Sequence, residues 1–381
     1  MSGFIIFLAV FFSLYSGLHA YGLIKLKCAF SLSPVLTLAV GLFMGLMIFA
    51  PVLIRLLERY GYDQAARVTA YVGYTWMGLL FIFVSSAFLF DIYRLLLSVS
   101  QWVANLDLSL IRLSPRQSFI ISLFLTLSIA VYGAFEAVAI RTEHVIIRTS
   151  KLPKGIDRLK IVQISDVHLG LIVTEKRLER ILSKVKEANP DIWVSTGDLV
   201  DGQMVNIDGL SAMLRDVPVK YGKYAVTGNH EFYAGIEKSL DFTRQAGFQV
   251  LQGETVNVSD IITIAGIDDE TGDSDGLNPG LSEKDVLSKI PRDKFVLFLK
   301  HRPVLNNVTK GLFDLQLSGH AHKGQIFPFS IITALSFPAD SGLLKLNTGA
   351  RLYVSRGSGT WGPPIRFLSP PEVTLIELVK K

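Results

Sequence analysis

Four apolar stretches within the first 140 residues decide much of what this chain can become. They cover residues 4–24, 33–54, 68–90 and 118–140. Crossing the hydrocarbon of a bilayer takes about 20 mostly apolar residues at about 1.5 Å of rise each, and these stretches match. The second, the third and the core of the fourth hold no charged residue. A helix buried in a soluble protein keeps a polar face, which these lack. The sequence therefore predicts a four-helix transmembrane region over residues 1–141. A mean hydropathy of +0.40 for the whole chain agrees with it. Tyr60, Tyr62, Tyr71 and Trp102 sit near the ends of the stretches, where interfacial aromatics belong. The first stretch opens without Lys or Arg, and its apolar run exceeds that of a signal peptide, so a retained helix is expected. His19 is the one ionisable side chain deep in a stretch, with Asp91 and Glu136 near ends. A helix–helix hydrogen bond is the expectation for it.

Basic residues give an orientation. Arg55, Arg59 and Arg67 share a side with Arg141, Arg148, Lys151, Lys154, Arg158 and Lys160. Lys25, Lys27, Arg94, Arg112 and Arg116 fall on the other. The positive-inside bias then predicts a multi-pass cell-membrane protein with its C-terminal domain on the cytoplasmic face. The net charge of +5 fits anionic lipid contact and topology signals. No aromatic–basic interleaving or recognition motif points to nucleic acid. Cys28 is the single cysteine, which excludes an intrachain disulfide and a cysteine-rich zinc site.

From Glu143 the composition turns to mixed charge, and residues 142–381 read as a separate domain. Apolar strands at 161–165, 191–196, 223–227, 294–299 and 313–317 alternate with a helix over 174–188 and others near 235–246 and 282–289. Thr174 stands at the N-cap position of the first, and Leu178, Ile181, Leu182 and Val185 follow at helical spacing. Alternation predicts an α/β core, and the strand-rich later half predicts a second sheet packed on the first. Gly272-Asp273-Ser274-Asp275-Gly276 lacks the spacing and terminal glutamate of an EF-hand, so a solvated loop is expected.

Each of the five apolar runs releases metal-competent side chains where it stops. Asp166-Val167-His168, Gly197-Asp198-Leu199-Val200-Asp201, Gly228-Asn229-His230-Glu231, His301 and Gly319-His320-Ala321-His322 follow in order. Carboxyl ends of strands line the ligand crevice of an α/β sheet, so these groups can converge. Of seven histidines, five fall in these cassettes; beyond them stand only His19 and His144, in the apolar part and at its junction. Five at strand ends beside Asp, Asn or Gly point to metal. Imidazole with carboxylate and amide oxygen, and no thiolate, suits Mn²⁺ first, with Fe or Zn²⁺ as alternatives. Asp198 carries two oxygens and can bridge. The set exceeds the needs of one ion, so two divalent cations are expected, able to generate a hydroxide and clamp an in-line displacement at phosphorus.

The order of these cassettes resembles the calcineurin-like metallophosphoesterases, from about Leu159 to His322. That resemblance implies a pair of packed β-sheets flanked by helices, with two metals at the strand ends. It implies that Asp166, His168 and His322 hold one ion, that Asn229, His301 and His320 hold the other, and that Asp198 bridges. His230 would act on the leaving oxygen as general acid or charge stabiliser, with Asp201 orienting it. Glu231 is expected to cap structure. The tail from Tyr353 to Arg366 is similar to the membrane-linked and secreted bacterial branch, and Arg356 or Arg366 is a candidate for meeting a phosphate. Residues 326–339 hold no charge and read as an apolar loop, which suits an acyl chain or a membrane surface. The function expected is a membrane-anchored, two-metal phosphoesterase acting on a phosphorylated small molecule or a lipid-linked phosphodiester or pyrophosphate. Some members of the resembled family cleave UDP-diacylglucosamine, which makes it one candidate. The competing reading is a binding scaffold that keeps the fold without the chemistry; a full ligand set with His230 argues against it. Nearly uncharged spans argue against a transporter.

Overall fold

The computed structural model describes the chain except Met1, Gln203, Val205, Asn206, Asp208, Asp275 and residues 277–280. Asp275, the centre of the EF-hand-like pattern, is thus outside the described residues, and Thr271–Ser274 just before it is a short helix. The chain divides into two compact units. One comprises Met1–Phe135 with Gly362–Ile365, the other Glu136–Trp361 with Arg366–Lys381.

The first unit is helical: α1 (Ser2–Ala29), α2 (Pro34–Arg59), α3 (Asp63–Ala104) and α4 (Pro115–Val138). Among the described residues, three segments are long and apolar enough to cross a membrane: Pro34–Arg59, Asp63–Ala104 and Ser109–Val138. The expected count of four is corrected to three. The stretch 4–24 does fold as α1, but the side chains of Ser2, Gly3, Phe4 and Phe7 lie outside the described residues, and the helix is not among the three. The span expected at 68–90 is also longer than its apolar core. α3 runs for 42 residues, because neither Gly nor Pro interrupts the sequence between Phe90 and Ala104. Some polar groups in this unit pair within it. Trp76 Nε1–H donates to His19 Nε2 at 2.9 Å, a helix–helix bond of the kind expected. Asp91 pairs with Lys25 and accepts from the Tyr21 hydroxyl.

The second unit runs β1 (Arg141–Thr149), β2 (Arg158–Ile164), α5 (Glu175–Ala188), β3 (Ile192–Ser195), α6 (Leu210–Arg215), β4 (Lys223–Ala225), α7 (Asn229–Ala234), α8 (Ile236–Gln245), β5 (Gln249–Val250), β6 (Glu254–Val258), β7 (Ile262–Gly266), α9 (Thr271–Ser274), α10 (Glu283–Leu287), β8 (Phe295–Leu299), β9 (Leu315–Ser318), α11 (Phe329–Ser336), β10 (Gly342–Lys345), β11 (Arg351–Val354) and β12 (Glu372–Lys380). Among the described residues two mixed six-stranded sheets result, ordered β1-β12-β2-β3-β4-β5 and β10-β11-β9-β8-β7-β6. Ile161, Val194 and Ile376 from the first share one buried cluster with Ile264, Leu297, Leu317 and Tyr353 from the second. That shared cluster makes the sheets a sandwich. β2, β3 and β4 run parallel, as do β8 and β9, so each pair is joined by a crossover connection.

Helix α5 forms as its pattern requires, with Leu178, Ile181, Leu182 and Val185 buried. Thr174 holds the N-cap position, but no bond from its side chain caps the helix. Several elements escaped the sequence, α6, α7, α9, β6 and α11 among them. β6 reads Glu-Thr-Val-Asn-Val and is only partly buried, so its apolar content is low. α11 lies where an apolar loop was expected, and only Thr333 of its side chains is buried.

Candidate metal centre

Each cassette begins where a buried strand ends. Asp166 and His168 follow β2, Asp198 follows β3, Asn229 and His230 open α7 after β4, His301 follows β8, and His320 and His322 follow β9. Parallel strands end at the same level, so the five loops meet. Aiming the side chains into one volume needs unusual backbone. Asp166, His168, Asp198, His320 and His322 have φ of 50°, 55°, 51°, 68° and 48°. A non-glycine residue in the left-handed region costs of order 1–3 kcal/mol, and such residues gather where function requires them.

Among the described residues three groups of potential ligands result, each with atoms within 4.8 Å of one another: Asp166, His168 and His322; His168, Asp198 and His230; Asp198, His301 and His320. His168 Nε2 faces His322 Nε2 at 3.1 Å, and His322 Nε2 lies 3.3 Å from Asp166 Oδ1. On the other side, His320 Nδ1 faces His301 Nε2 at 3.1 Å. Asp198 Oδ2 joins the two halves, 3.2 Å from His301 Nε2 and 3.8 Å from His168 Nε2. The backbone N–H of His230 donates to Asp198 Oδ1 at 2.8 Å, which leaves Oδ2 for the cluster.

Protonation follows from the surroundings. His301 Nδ1 lies 2.8 Å from the Thr196 carbonyl, which only accepts, so that nitrogen carries the hydrogen and Nε2 faces Asp198. Burial lowers His168 to about 4 and His320 to about 3, with the charges of His230 and His301 respectively adding to the effect. Burial holds His322 well below the usual range as well. Neutral imidazoles offer lone pairs. Burial alone would raise the Asp198 carboxyl, but His301 and His230 outweigh it and keep it ionised. Burial opposes protonation of His301, yet Asp198 overrides it and raises His301 to about 10; a bound cation would take that proton's place.

These residues fit divalent metal. Two pairs of imidazole nitrogens converge at 3.1 Å in a buried volume. The Asn229 side-chain oxygen is buried with no hydrogen-bond partner, as a ligand oxygen would be. An oxygen and nitrogen donor set of this composition suits Mn²⁺, Fe or Zn²⁺.

Residues 159–324 match the family described as calcineurin-like phosphoesterase. A protein of Aquifex aeolicus named an uncharacterized metallophosphoesterase is 42% identical over 260 residues, covering 68% of this chain and 99% of that one. This chain belongs to the calcineurin-like metallophosphoesterases. Its metallophosphoesterase relatives include Cj0846 of Campylobacter jejuni, 34% identical over 70% of this chain and 71% of that one. A Danio rerio protein named a transmembrane protein with metallophosphoesterase domain is 33% identical over 70% of this chain and 63% of that one. Family and apolar helices together make this a membrane protein with a metallophosphoesterase fold and residues that could bind metal.

Other groups shape the centre of this metallophosphoesterase. Glu231 accepts from the backbone N–H groups of Asp198, Leu199, Val200 and Gly228 at 2.6–3.3 Å, so it ties two cassettes together, in keeping with the capping role read from sequence. The two arginines seen as phosphate candidates are engaged elsewhere. Arg356 pairs with Glu143 and with Glu372, the latter at 2.7 Å. Arg366 is fully buried, donating to the carbonyls of Arg356, Gly359 and Ser369, with Nη2 3.2 Å from His322 Nδ1. Sequence could not separate these fates, since burial of a guanidinium among carbonyls leaves no pattern. A cavity of about 230 Å³ opens beside His301, and its Arg302 is held by Asp269 through contacts of 2.8 and 3.1 Å.

Gly228 shows how tight the centre is. A Cβ there would stand 2.2 Å from Asp198 Oδ1 and 2.7 Å from the Asp198 nitrogen. Gly228→Ala is expected to displace Asp198 and weaken divalent-metal binding at least about tenfold. Equilibrium dialysis with metal analysis reads this directly, and unchanged affinity would show that Asp198 is not held as described.

Proposed function

We propose that this metallophosphoesterase is a membrane-anchored hydrolase that binds two divalent cations, Mn²⁺ foremost, and cleaves a phosphodiester or pyrophosphate bond in a lipid-linked substrate. The observation that carries the reading is Asp198 Oδ2, shared between two sets of buried imidazoles. Asp166, His168 and His322 would hold one cation and Asn229, His301 and His320 the other, with Asp198 between them. When bound, the pair supplies Lewis-acid charge for the phosphoryl oxygens and lowers the pKa of water.

The protein's own groups do the rest. His230 Nδ1 lies 2.8 Å from Asp201 Oδ1, which fixes the ring and favours its cationic form. Burial works against that charge, but Asp198 and Asp201 outweigh it and raise His230 to about 9. A protonated His230 can give its proton to the leaving oxygen. Exposed Tyr233 and Trp361 flank it, with ring centroids 5.4 and 6.0 Å away, and screen the proton transfer from bulk water on two sides.

His230→Ala is expected to lower turnover of an aryl phosphodiester about 10²-fold or more while metal content stays at the wild-type level. Loss of metal along with activity would make His230 a ligand and defeat the assignment. A metal analysis combined with a substrate panel tests the whole reading. The panel should hold lipid phosphates, UDP-diacylglucosamine among them, and soluble nucleotides. Hydrolysis of the nucleotides far above every lipid would end the lipid-linked part, and no metal-dependent turnover of anything would favour a binding scaffold.

For orientation, the α2–α3 loop and the chain after α4 are separated by two spans whatever α1 does. Their basic residues therefore share a side, and positive-inside bias supports a cytoplasmic metallophosphoesterase domain. Protease accessibility in sealed vesicles tests it.

A further inference from the structure

Helix α11 is built inside out. Its polar Thr333 is its one buried side chain, while Ile331, Ile332 and Leu335 are exposed, the last at 84%. Amphipathic helices on soluble proteins do the reverse. Around it, Phe327, Trp361 and Leu368 are also exposed. Leu368 has φ of 60°, a conformation that leucine adopts only at a cost in backbone energy, and the result is a leucine facing out. Residues 326–338 carry no charged side chain at all.

The surface is fastened to the metal centre. The backbone N–H of Trp361 and the carbonyl of Trp361 both bond the Gln325 side chain at 2.9 Å, three residues past His322. Phe327 N–H donates to Phe367 O and Phe367 N–H to Gln325 O, which hold Phe327 and Leu368 in one ribbon. At the far end of α11, the Phe337 ring meets the His320 ring edge-on, centroids 5.8 Å apart. Both ends of the apolar segment thus terminate on histidines of the cluster.

We infer that α11 with Phe327, Trp361 and Leu368 is a lipid-docking rim that seats the mouth of the metal centre in the bilayer interface. One occupant is favoured. The same chain carries three helices that can cross a membrane, so a bilayer is present at high effective concentration. A helix this short would bind a membrane weakly by itself, and the tether removes that requirement. Trp361 belongs at the headgroup level, where an indole is both buried and hydrated. With the rim seated, a lipid-borne phosphate reaches the cations while its acyl chains stay out of water. The inference rests on the membrane-anchored part of the reading above and not on the chemistry of the cations.

The test uses the full chain in mixed phosphatidylcholine–phosphatidylglycerol vesicles. Cys28→Ser removes the single native thiol, and Leu335→Cys, Ile332→Cys and Glu187→Cys each take one nitroxide label. All three positions are solvent-exposed, so the labels displace no core. Labels at Leu335 and Ile332 are expected to lose collisions with a water-soluble nickel chelate several-fold relative to Glu187, and to gain collisions with oxygen. Nickel collisions at Leu335 and Ile332 equal to those at Glu187 would overturn the inference. So would spin–spin broadening at Leu335, which would identify a second copy as the occupant. Seated labels without phosphoester turnover would sink the proposed chemistry alone; labels in water with full turnover would sink the rim alone.

Discussion

Asp198→Asn is expected to lower metal-dependent phosphodiester turnover about 10³-fold or more while leaving the chain folded. The substitution is close in shape. The amide oxygen can still accept the His230 N–H that Oδ1 now takes at 2.8 Å. The amide NH₂ must then face His301 Nε2, where Oδ2 lies at 3.2 Å, and an NH₂ cannot ligate a cation. A shared ligand lost from both sets removes several kcal/mol of charge stabilisation, and each 1.36 kcal/mol is about tenfold in rate. Metal content should fall below that of the unmodified chain, and the melting temperature without added metal should hold. Near-normal turnover in Asp198→Asn would mean that the two sets of histidines do not act through a common oxygen.

Glu231→Ala should do damage of a different kind. The carboxylate satisfies four backbone N–H groups from two loops inside a site where it is only 3% exposed. Alanine leaves those donors buried and unbonded. At about 1–3 kcal/mol for a stranded buried donor, and with water able to enter the hole, a loss of about 3 kcal/mol or more is expected. Glu231 does not contact phosphate in the proposed reaction, so both metal binding and protease resistance of the second unit should fail together. A Glu231→Ala chain that resists protease as before but has lost turnover would make the residue chemical instead of structural.

What the sequence revealed and what it concealed divide along physical lines. Asp166, His168, Asp198, Asn229, His301, His320 and His322 were legible because each follows an apolar run, and a strand end is a predictable place. The sandwich was legible for the same reason. Arg366 was not, because its partners are carbonyls, and every residue has one. The left-handed backbone at Asp166 and His322 was equally hidden, since nothing in a side chain announces the φ that neighbours impose. α11 was read as loop because uncharged sequence without period fits many shapes; its outward apolar face appears only in three dimensions.

Strand β12 sets a condition on how this protein is made. It lies between β1 and β2, pairing Arg141 with Glu372 on one side and Gln163 with Thr374 on the other. While the ribosome is still delivering the intervening chain, β2 has no neighbour on that edge and β1 has no place in the sheet. The cassettes at the ends of β2, β3 and β4 are synthesised early, with the apolar helices already available for insertion. A nascent chain therefore carries His168 and His230 before β8 and β9 have supplied His301, His320 and His322. The first sheet can therefore be completed only after Glu372–Lys380 has emerged.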